Sequence, residues 1–238
     1  MEYSEPMDHP RAVLFDAYGT LFDVYSVSLL AEQLFPGQGT LLARLWRDKQ
    51  IEYTRLVTTS GHGAHYRPFW ALTEASLRWS IKALVPAARQ DWPTFEARAA
   101  QLMNQYRHLS AFPDTREVLQ TLKTRSITTG ILSNGDPDML RIAVRSAGLD
   151  GLLDHILSCD AVRVFKTHPQ AYALGEQATG LKASQIVFVS SNAWDALGAT
   201  WHGYRTLWVD RQSLPFEELD TPPTRAGSSL REVLAFFD

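Results

Sequence analysis

The stretch Ala12-Val-Leu-Phe-Asp-Ala-Tyr-Gly-Thr-Leu-Phe-Asp23 runs from four apolar residues onto a carboxylate and then through a glycine into a turn. Val13 to Phe15 reads as a buried strand, and open α/β sheets bind their ligands where such strands end. Asp16 therefore stands where a nucleophile belongs. Gly19 permits a sharp turn, and the Thr20 hydroxyl can donate a hydrogen bond back to the carboxylate. Taken alone, Asp16 reads equally well as a turn-capping residue, because aspartate is common where strands end. Segments further along the chain decide between the two.

Outward from this stretch, short β-rich runs at Val13 to Phe15, Ile127 to Leu132, Ile156 to Ser158, Ile186 to Val189 and Thr206 to Val209 alternate with helical patterns from residue 114 onward. That alternation predicts βαβ units and a parallel sheet. Asp114 is placed to cap a helix through Leu122, Asp136 and Pro137 read as the cap and first turn of a second helix closed by Gly148, and Gly180 closes the helix after Pro169. Between Tyr25 and His108 the patterns are helical with no convincing strand. Pro36-Gly37, Thr59 to Arg67 and Pro86 divide this insertion into about four helices. In one of them Leu42, Leu45, Trp46, Lys49, Tyr53 and Leu56 share a face by three- and four-residue steps, with Arg47, Asp48 and Ile51 toward other faces. The expected architecture is α/β: a Rossmann-like parallel sheet core from residues 1–23 and 109–238, with an inserted helical cap domain over residues 24–108. Thr221-Pro-Pro223 reads as a surface loop before a last helix, Ser228 to Phe237.

Composition narrows the function. With 238 residues, 45% of them hydrophobic, and seven tryptophans, the chain is an ordinary globular protein. A formal charge of -3 and the lack of a Lys/Arg run argue against nucleic acid or an anionic membrane as the main partner, which leaves small molecules. Met1 to Pro10 is polar and acidic, so no secretory leader is expected and the predicted location is cytoplasmic; no run is long enough to span a bilayer. Cys159, the sole cysteine, reads as a buried inert thiol. His62 and His65 lack a third ligand, so glycine-rich Ser60 to Ala64 reads as a cap loop in preference to a metal centre.

Three further strand ends supply what a carboxylate nucleophile needs. Ile131-Leu-Ser-Asn-Gly-Asp136 brings Ser133, Asn134 and backbone amides to a helix start, where an anion can be held, although serine and asparagine also simply make turns. Val164-Phe-Lys-Thr-His-Pro-Gln-Ala-Tyr172 places Lys166 just before a helix that carries Tyr172; a lone lysine is more often a solvated charge. Phe188-Val-Ser-Ser-Asn-Ala-Trp-Asp-Ala196 follows a buried run and contains Asp195.

Taken in order, and with Leu45-Trp-Arg-Asp-Lys-Gln50 in the insertion, these segments resemble the L-2-haloacid dehalogenases of the haloacid dehalogenase superfamily over nearly the whole chain. The resemblance implies that Asp16 attacks the α-carbon of a short 2-haloalkanoate, that Arg47 and Asn134 receive the departing halide, and that Ser133 and Lys166 hold the substrate carboxylate. It further implies that Thr20, Tyr172, Ser190, Asn192 and Asp195 support Asp16, Lys166 and the hydrolytic water. Tyr18, Phe69 and Trp194 would line an apolar pocket, with Ala17 and Asp48 on the substrate side. The implied product is an (R)-2-hydroxyacid, formed from the (S)-haloacid through an aspartyl ester with no metal or cofactor, by a protein that is often a homodimer.

Two features separate the chain from the phosphatases of the superfamily, which carry a second aspartate two residues after the nucleophile and an acid that helps hold Mg²⁺. Here Tyr18 and the pair Ser190-Ser191 stand at those places. One feature departs from the dehalogenases: the residue after the cap arginine is usually glutamine, and here it is Asp48. Facing the pocket, Asp48 would suit a cationic amine and a C–N ring opening like that of the azetidine-2-carboxylate hydrolases; turned to solvent, it would pair with Lys49 or Arg44. A Mg²⁺-dependent phosphatase and a binding protein that kept the fold are the remaining alternatives.

Overall fold

Six short runs pair into a single parallel sheet in the computed structural model, which describes residues 9–238. The strands are β1 (Ala12–Phe15), β2 (Thr128–Ser133), β3 (His155–Ser158), β4 (Ile186–Ser190), β5 (Arg205–Val209) and β6 (Arg225–Gly227), in the order β3-β2-β1-β4-β5-β6. β1 is central, with Phe15 opposite Ile131 of β2 on one side and Val189 of β4 on the other. β1 and β4 are buried along their whole length, as strands covered on both faces must be. The chain winds outward from β1 to β3 and then returns to the other side of β1 at β4. The ends of β1 and β4 thus flank the switch point where open α/β sheets form their ligand crevice.

The stretch after β1 contributes a short 3₁₀ turn and then helices α1 (Ser28–Leu34), α2 (Gly39–Thr59), α3 (Phe69–Leu84), α4 (Ala87–Gln90) and α5 (Trp92–Arg107), which form the helical cap. The core helices are α6 (Thr115–Thr124), α7 (Pro137–Ser146), α8 (Pro169–Thr179) and α9 (Ala193–His202), each leading into the next strand of the sheet. α8 ends on Gly180 at φ 68, the left-handed conformation that closes a helix most easily with glycine.

Several expectations are corrected. The cap holds five helices where about four are expected, because the four-residue α4 is set apart from its neighbours by Pro86 and Asp91. The buried face of α2 is Gly39, Leu42, Ala43, Trp46, Gln50, Ile51 and Thr54, whereas Leu56 is 51% exposed. A purely apolar stripe misplaces this face because Gln50 and Thr54 go inside with their hydrogen bonds satisfied. β6 has no β-rich composition and gains its place from pairing with β5. The last run, Leu230–Phe236, winds as 3₁₀, the tighter form that short terminal pieces adopt.

Two aspartates read as local caps act at long range. Asp114 accepts from the Leu230 N–H and the Ser229 hydroxyl and pairs with Arg211, tying down the C-terminal turn. Asp136 leaves its own helix to accept from the Phe69 and Trp70 amides at 2.7 and 2.8 Å, so a core residue caps α3 of the cap. Cys159 is fully buried, and burial pushes its thiol up to about 12. Of the stretch Met1 to Pro10 that carries the leader reading, residues 1–8 lie outside the described residues, as does the side chain of His62. Among the described residues no helix is long and apolar enough to cross a membrane.

Candidate active site

Asp16 follows β1 directly, its N–H donating to Val189 O at 2.9 Å, so the backbone still follows the sheet as the side chain emerges at the switch point. Gly19 adopts φ 94 and turns the chain back, which brings the Thr20 hydroxyl to Asp16 Oδ2, where it donates at 3.1 Å. Asn192 Nδ2 donates to the same oxygen at 2.8 Å, and Lys166 Nζ holds Oδ1 at 3.1 Å. Asp16 is only 6% exposed.

Lys166 lies between two carboxylates, 2.9 Å from Asp195 Oδ2 on its far side. Its main chain is fixed by donation to Asn134 Oδ1 at 2.9 Å, so the end of β2 sets the place of the lysine. Burial opposes the ammonium charge, but Asp16 and Asp195 outweigh it and hold the lysine above its ordinary pKa. Asp195 is fully buried and receives the Tyr172 hydroxyl on Oδ1 at 2.8 Å. Burial raises its carboxyl to about 6, against the pull of Lys166. Ser190 Oγ accepts from the Asn192 amide at 3.1 Å, Thr20 Oγ1 from the Ser191 amide at 2.8 Å, and Ser133 Oγ from the Gly135 amide at 3.1 Å.

From the cap, Arg47 reaches down from α2. Its Nη2 donates to Tyr18 O at 3.1 Å and to Asn192 Oδ1 at 3.2 Å, and its Nη1 to Gln50 Oε1 at 2.7 Å. Tyr18 is buried and stacks on Tyr106, with ring centroids 5.6 Å apart, and it lies 5.9 Å from the Phe69 ring; Trp46 closes the wall at 5.1 Å from Tyr106. A side chain on Gly135 would strike the Tyr18 ring at 2.6 Å, so glycine there makes room for the aromatic wall. Burial, reinforced by Tyr106, Asp136 and Asp16, raises the Tyr18 hydroxyl well above its usual pKa, which leaves it a neutral wall at ordinary pH.

The structure thus joins Asp16, Thr20, Lys166, Tyr172, Ser190, Asn192 and Asp195 with Arg47 and Tyr18 in one bonded cluster. Ser133 and Asn134 stand at its β2 edge and Phe69 in its aromatic wall. Three expected residues stand outside that bonded cluster. Ala17 is fully buried, and its carbonyl is taken by the amides of Leu21 and Phe22 in the turn. Trp194 is half-buried outside the aromatic wall, beneath Arg55, in a groove of about 680 Å³ with Arg47 and Asn192 on its floor. Asp48 is exposed and lines that same outer groove; of the two partners considered for it, Lys49 instead pairs with Glu52 at 2.6 Å, and Arg44 lines the groove beside it. Sequence reasoning missed Gln50, Tyr106 and Trp46. Gln50 did carry a signal: it sits one turn after Arg47.

A parallel sheet with a carboxylate at its switch point beneath a helical cap defines a class, and residues 10–203 match the model of the haloacid dehalogenase-like hydrolases, the family to which this chain belongs. The chain is similar to the (S)-2-haloacid dehalogenase of Pseudomonas sp. strain YL, with 40% identity over 98% of this chain and 96% of that protein. A solved L-2-haloacid dehalogenase is 54% identical with a TM-score of 0.90, covering 96% of this chain and 98% of its own. The L-2-haloacid dehalogenase of Xanthobacter autotrophicus with chloropropionic acid covalently bound is 33% identical with a TM-score of 0.86, covering 96% of this chain and 98% of its own.

Proposed function

We propose that the chain hydrolyses short (S)-2-haloalkanoates to (R)-2-hydroxyacids and halide through an ester on Asp16. The observation that carries this is the nucleophile's setting: Asp16 is fixed by Thr20, Asn192 and Lys166, and it lies under a cap arginine beside an aromatic wall that holds Tyr18 where a phosphatase needs an acid. A carboxylate oxygen of Asp16 attacks the α-carbon opposite the halogen. The new C–O bond forms as the carbon–halogen bond breaks, the halide leaves with the electron pair, and the centre inverts. Arg47 and the Asn134 amide receive the halide, while Ser133 and Lys166 hold the substrate carboxylate.

Hydrolysis regenerates the enzyme. Water attacks the ester carbonyl carbon of Asp16 while Asp195, beside Lys166, takes its proton; the donors on the ester oxygens stabilise the tetrahedral charge. The bond to the alkoxide then breaks, the alkoxide takes the proton from the Asp195 pair, the remaining water proton leaves the Asp16 carboxyl for solvent to restore the carboxylate, and the hydroxyacid leaves. Splitting one displacement into two steps is the gain of covalent catalysis. Each oxygen of Asp195 has one neighbour at 2.9 Å or less and keeps a second lone pair for water. With the Asp16 and Asp195 carboxylates bridged by an ammonium, the donor set suits a proton relay better than a divalent cation, so chelator-treated enzyme is expected to release halide at the untreated rate.

One turnover in ¹⁸O water with enzyme in excess tests the reading by mass analysis of the Asp16 peptide. Label in the peptide is expected; label in the product alone overturns the ester route. Asp48 on the outer groove gives no support to a ring-opening reading. A cytoplasmic homodimer belongs to the proposal on the strength of the resemblance, and sedimentation with cell fractionation tests it.

A further inference from the structure

Gln50 is 1% exposed in the middle of the cap, and a buried amide there must spend its bonding groups on partners. It stands one turn after Arg47 on α2, the spacing at which two side chains on a helix meet. Its Oε1 receives Arg47 Nη1 at 2.7 Å, and its Nε2 donates to Thr73 Oγ1 on α3 at 2.6 Å and to the Tyr106 hydroxyl on α5 at 3.3 Å. The polarity of this chain is fixed. The Thr73 hydroxyl is fully buried and gives its single proton to Phe69 O at 2.8 Å, so toward Gln50 it can only accept. The Gln50 amide must then turn its nitrogen to Thr73 and its oxygen to Arg47.

We infer that Gln50, oriented by Thr73, is a positioning residue that holds the Arg47 guanidinium in the plane that receives the departing halide. The inference rests on the dehalogenase reading proposed above. A guanidinium carries five donors in a rigid fork, so fixing one corner from the cap aims the rest. Nη1 is fixed by Gln50, and Nη2 lies over Tyr18 O and Asn192 Oδ1, at the rim of the nucleophile's site. The void among Val24, Ala43, Trp46, Arg47, Gln50 and Tyr106 is only about 10 Å³, too small for the arginine to swing back into the cap. An arginine free of Gln50 would keep its charge but lose its aim. The loss falls on C–X cleavage, where a preorganised donor acts on developing charge, and leaves ester hydrolysis alone.

The test compares Gln50→Met, which keeps the length and removes the acceptor, with Thr73→Val, which removes the acceptor that orients Gln50, and Thr73→Ser, which keeps it. Halide release is followed from 2-chloro- and 2-bromopropionate, together with inhibition by added chloride and single-turnover hydrolysis of the ester. In folded Gln50→Met, release from the chloro substrate is expected to fall about tenfold, the loss of a hydrogen bond to a charged group. Release from the bromo substrate should fall less, because bromide needs less help to leave. Chloride inhibition should weaken, and ester hydrolysis should hold its rate. Thr73→Val should repeat the pattern in milder form, and Thr73→Ser should recover most of it. A drop equal for both halogens with chloride inhibition unchanged overturns the inference, since a merely structural role would scale all rates together. Should Gln50→Met fail to fold, Gln50→Glu decides: a carboxylate at Oε1 offsets the Arg47 charge and must weaken chloride inhibition, and unchanged inhibition overturns the inference. If the parent protein releases no halide, the dehalogenase reading itself fails, an outcome distinct from any of these.

Discussion

The strand ends of the core and helix α2 of the cap hold their charged groups in opposite ways. At the strand ends Asp16, Lys166 and Asp195 each have at least two partners within 3.1 Å and are nearly excluded from water. On α2, Arg47 is bonded across to the core, but Asp48, one residue on, faces the outer groove, and Arg55 lies over Trp194 at its edge. A charge buried in a rigid, fully bonded frame has a fixed direction, which is what chemistry requires. A charge on an exposed helix face is not held in this way, and acts on approach and selection.

If that contrast holds, the largest effects lie in the strand-end cluster. Asp16→Asn keeps the shape and removes the nucleophile, and its halide release is expected to fall by about six orders of magnitude, as for deletion of a serine nucleophile. Lys166→Met leaves Asp16 and Asp195 facing each other without the ammonium between them. Stranding buried charge costs roughly 3 to 5 kcal/mol, so this variant should lose both activity and thermal stability, read by halide release and calorimetry. A Lys166→Met protein that kept its stability would show that the core pair is no more integrated than the groove charges.

The pH profile sharpens the same contrast. Burial raises Asp195 to about 6, and only its ionised form can take a proton from water. Ester hydrolysis should therefore be level above that value and fall about tenfold for each pH unit below it. Single-turnover hydrolysis of the Asp16 ester, followed on both sides of that value, checks this. A profile flat to the acid limit would remove Asp195 from the role of base.

The seam between the two regions ranks next. Asp136 on the core caps the amides of Phe69 and Trp70, and burial raises its carboxyl above the ordinary value despite those two bonds. Asp136→Ala should cost about 1 kcal/mol, the usual worth of a helix cap, read as a lowered melting temperature.

What is legible in the sequence follows the same division. Asp16 is readable because it directly follows a strand, whereas Lys166, just before α8, and Asp195, in the first turn of α9, gain their roles from the resemblance of their segments. Tyr18 and Phe69 of the aromatic wall are named through the resemblance, but Tyr106, Trp46 and the seam are not, because Tyr18 meets Tyr106, and Asp136 meets Phe69, only after the cap has folded over the sheet. The face of α2 escapes an apolar pattern for a related reason: Gln50 is polar and yet buried, and the partners that make this possible, Thr73 and Tyr106, sit on α3 and α5. β6, an Arg-Ala-Gly run, carries no β signal and exists by pairing with β5.

The smallest expected effect belongs to Asp48, the acid that follows the cap arginine. It lines the outer groove with Arg44, Arg47, Glu52 and Arg55, so its field reaches an incoming anion through water and salt. Asp48→Asn should lower KM for 2-chloropropionate less than about threefold, leave kcat unchanged, and lose even that effect in high salt, in keeping with the small worth of exposed charges. A large fall in kcat on this substitution would place Asp48 at the reacting centre, erase the contrast between the two regions, and restore the case for a substrate with a ring ammonium.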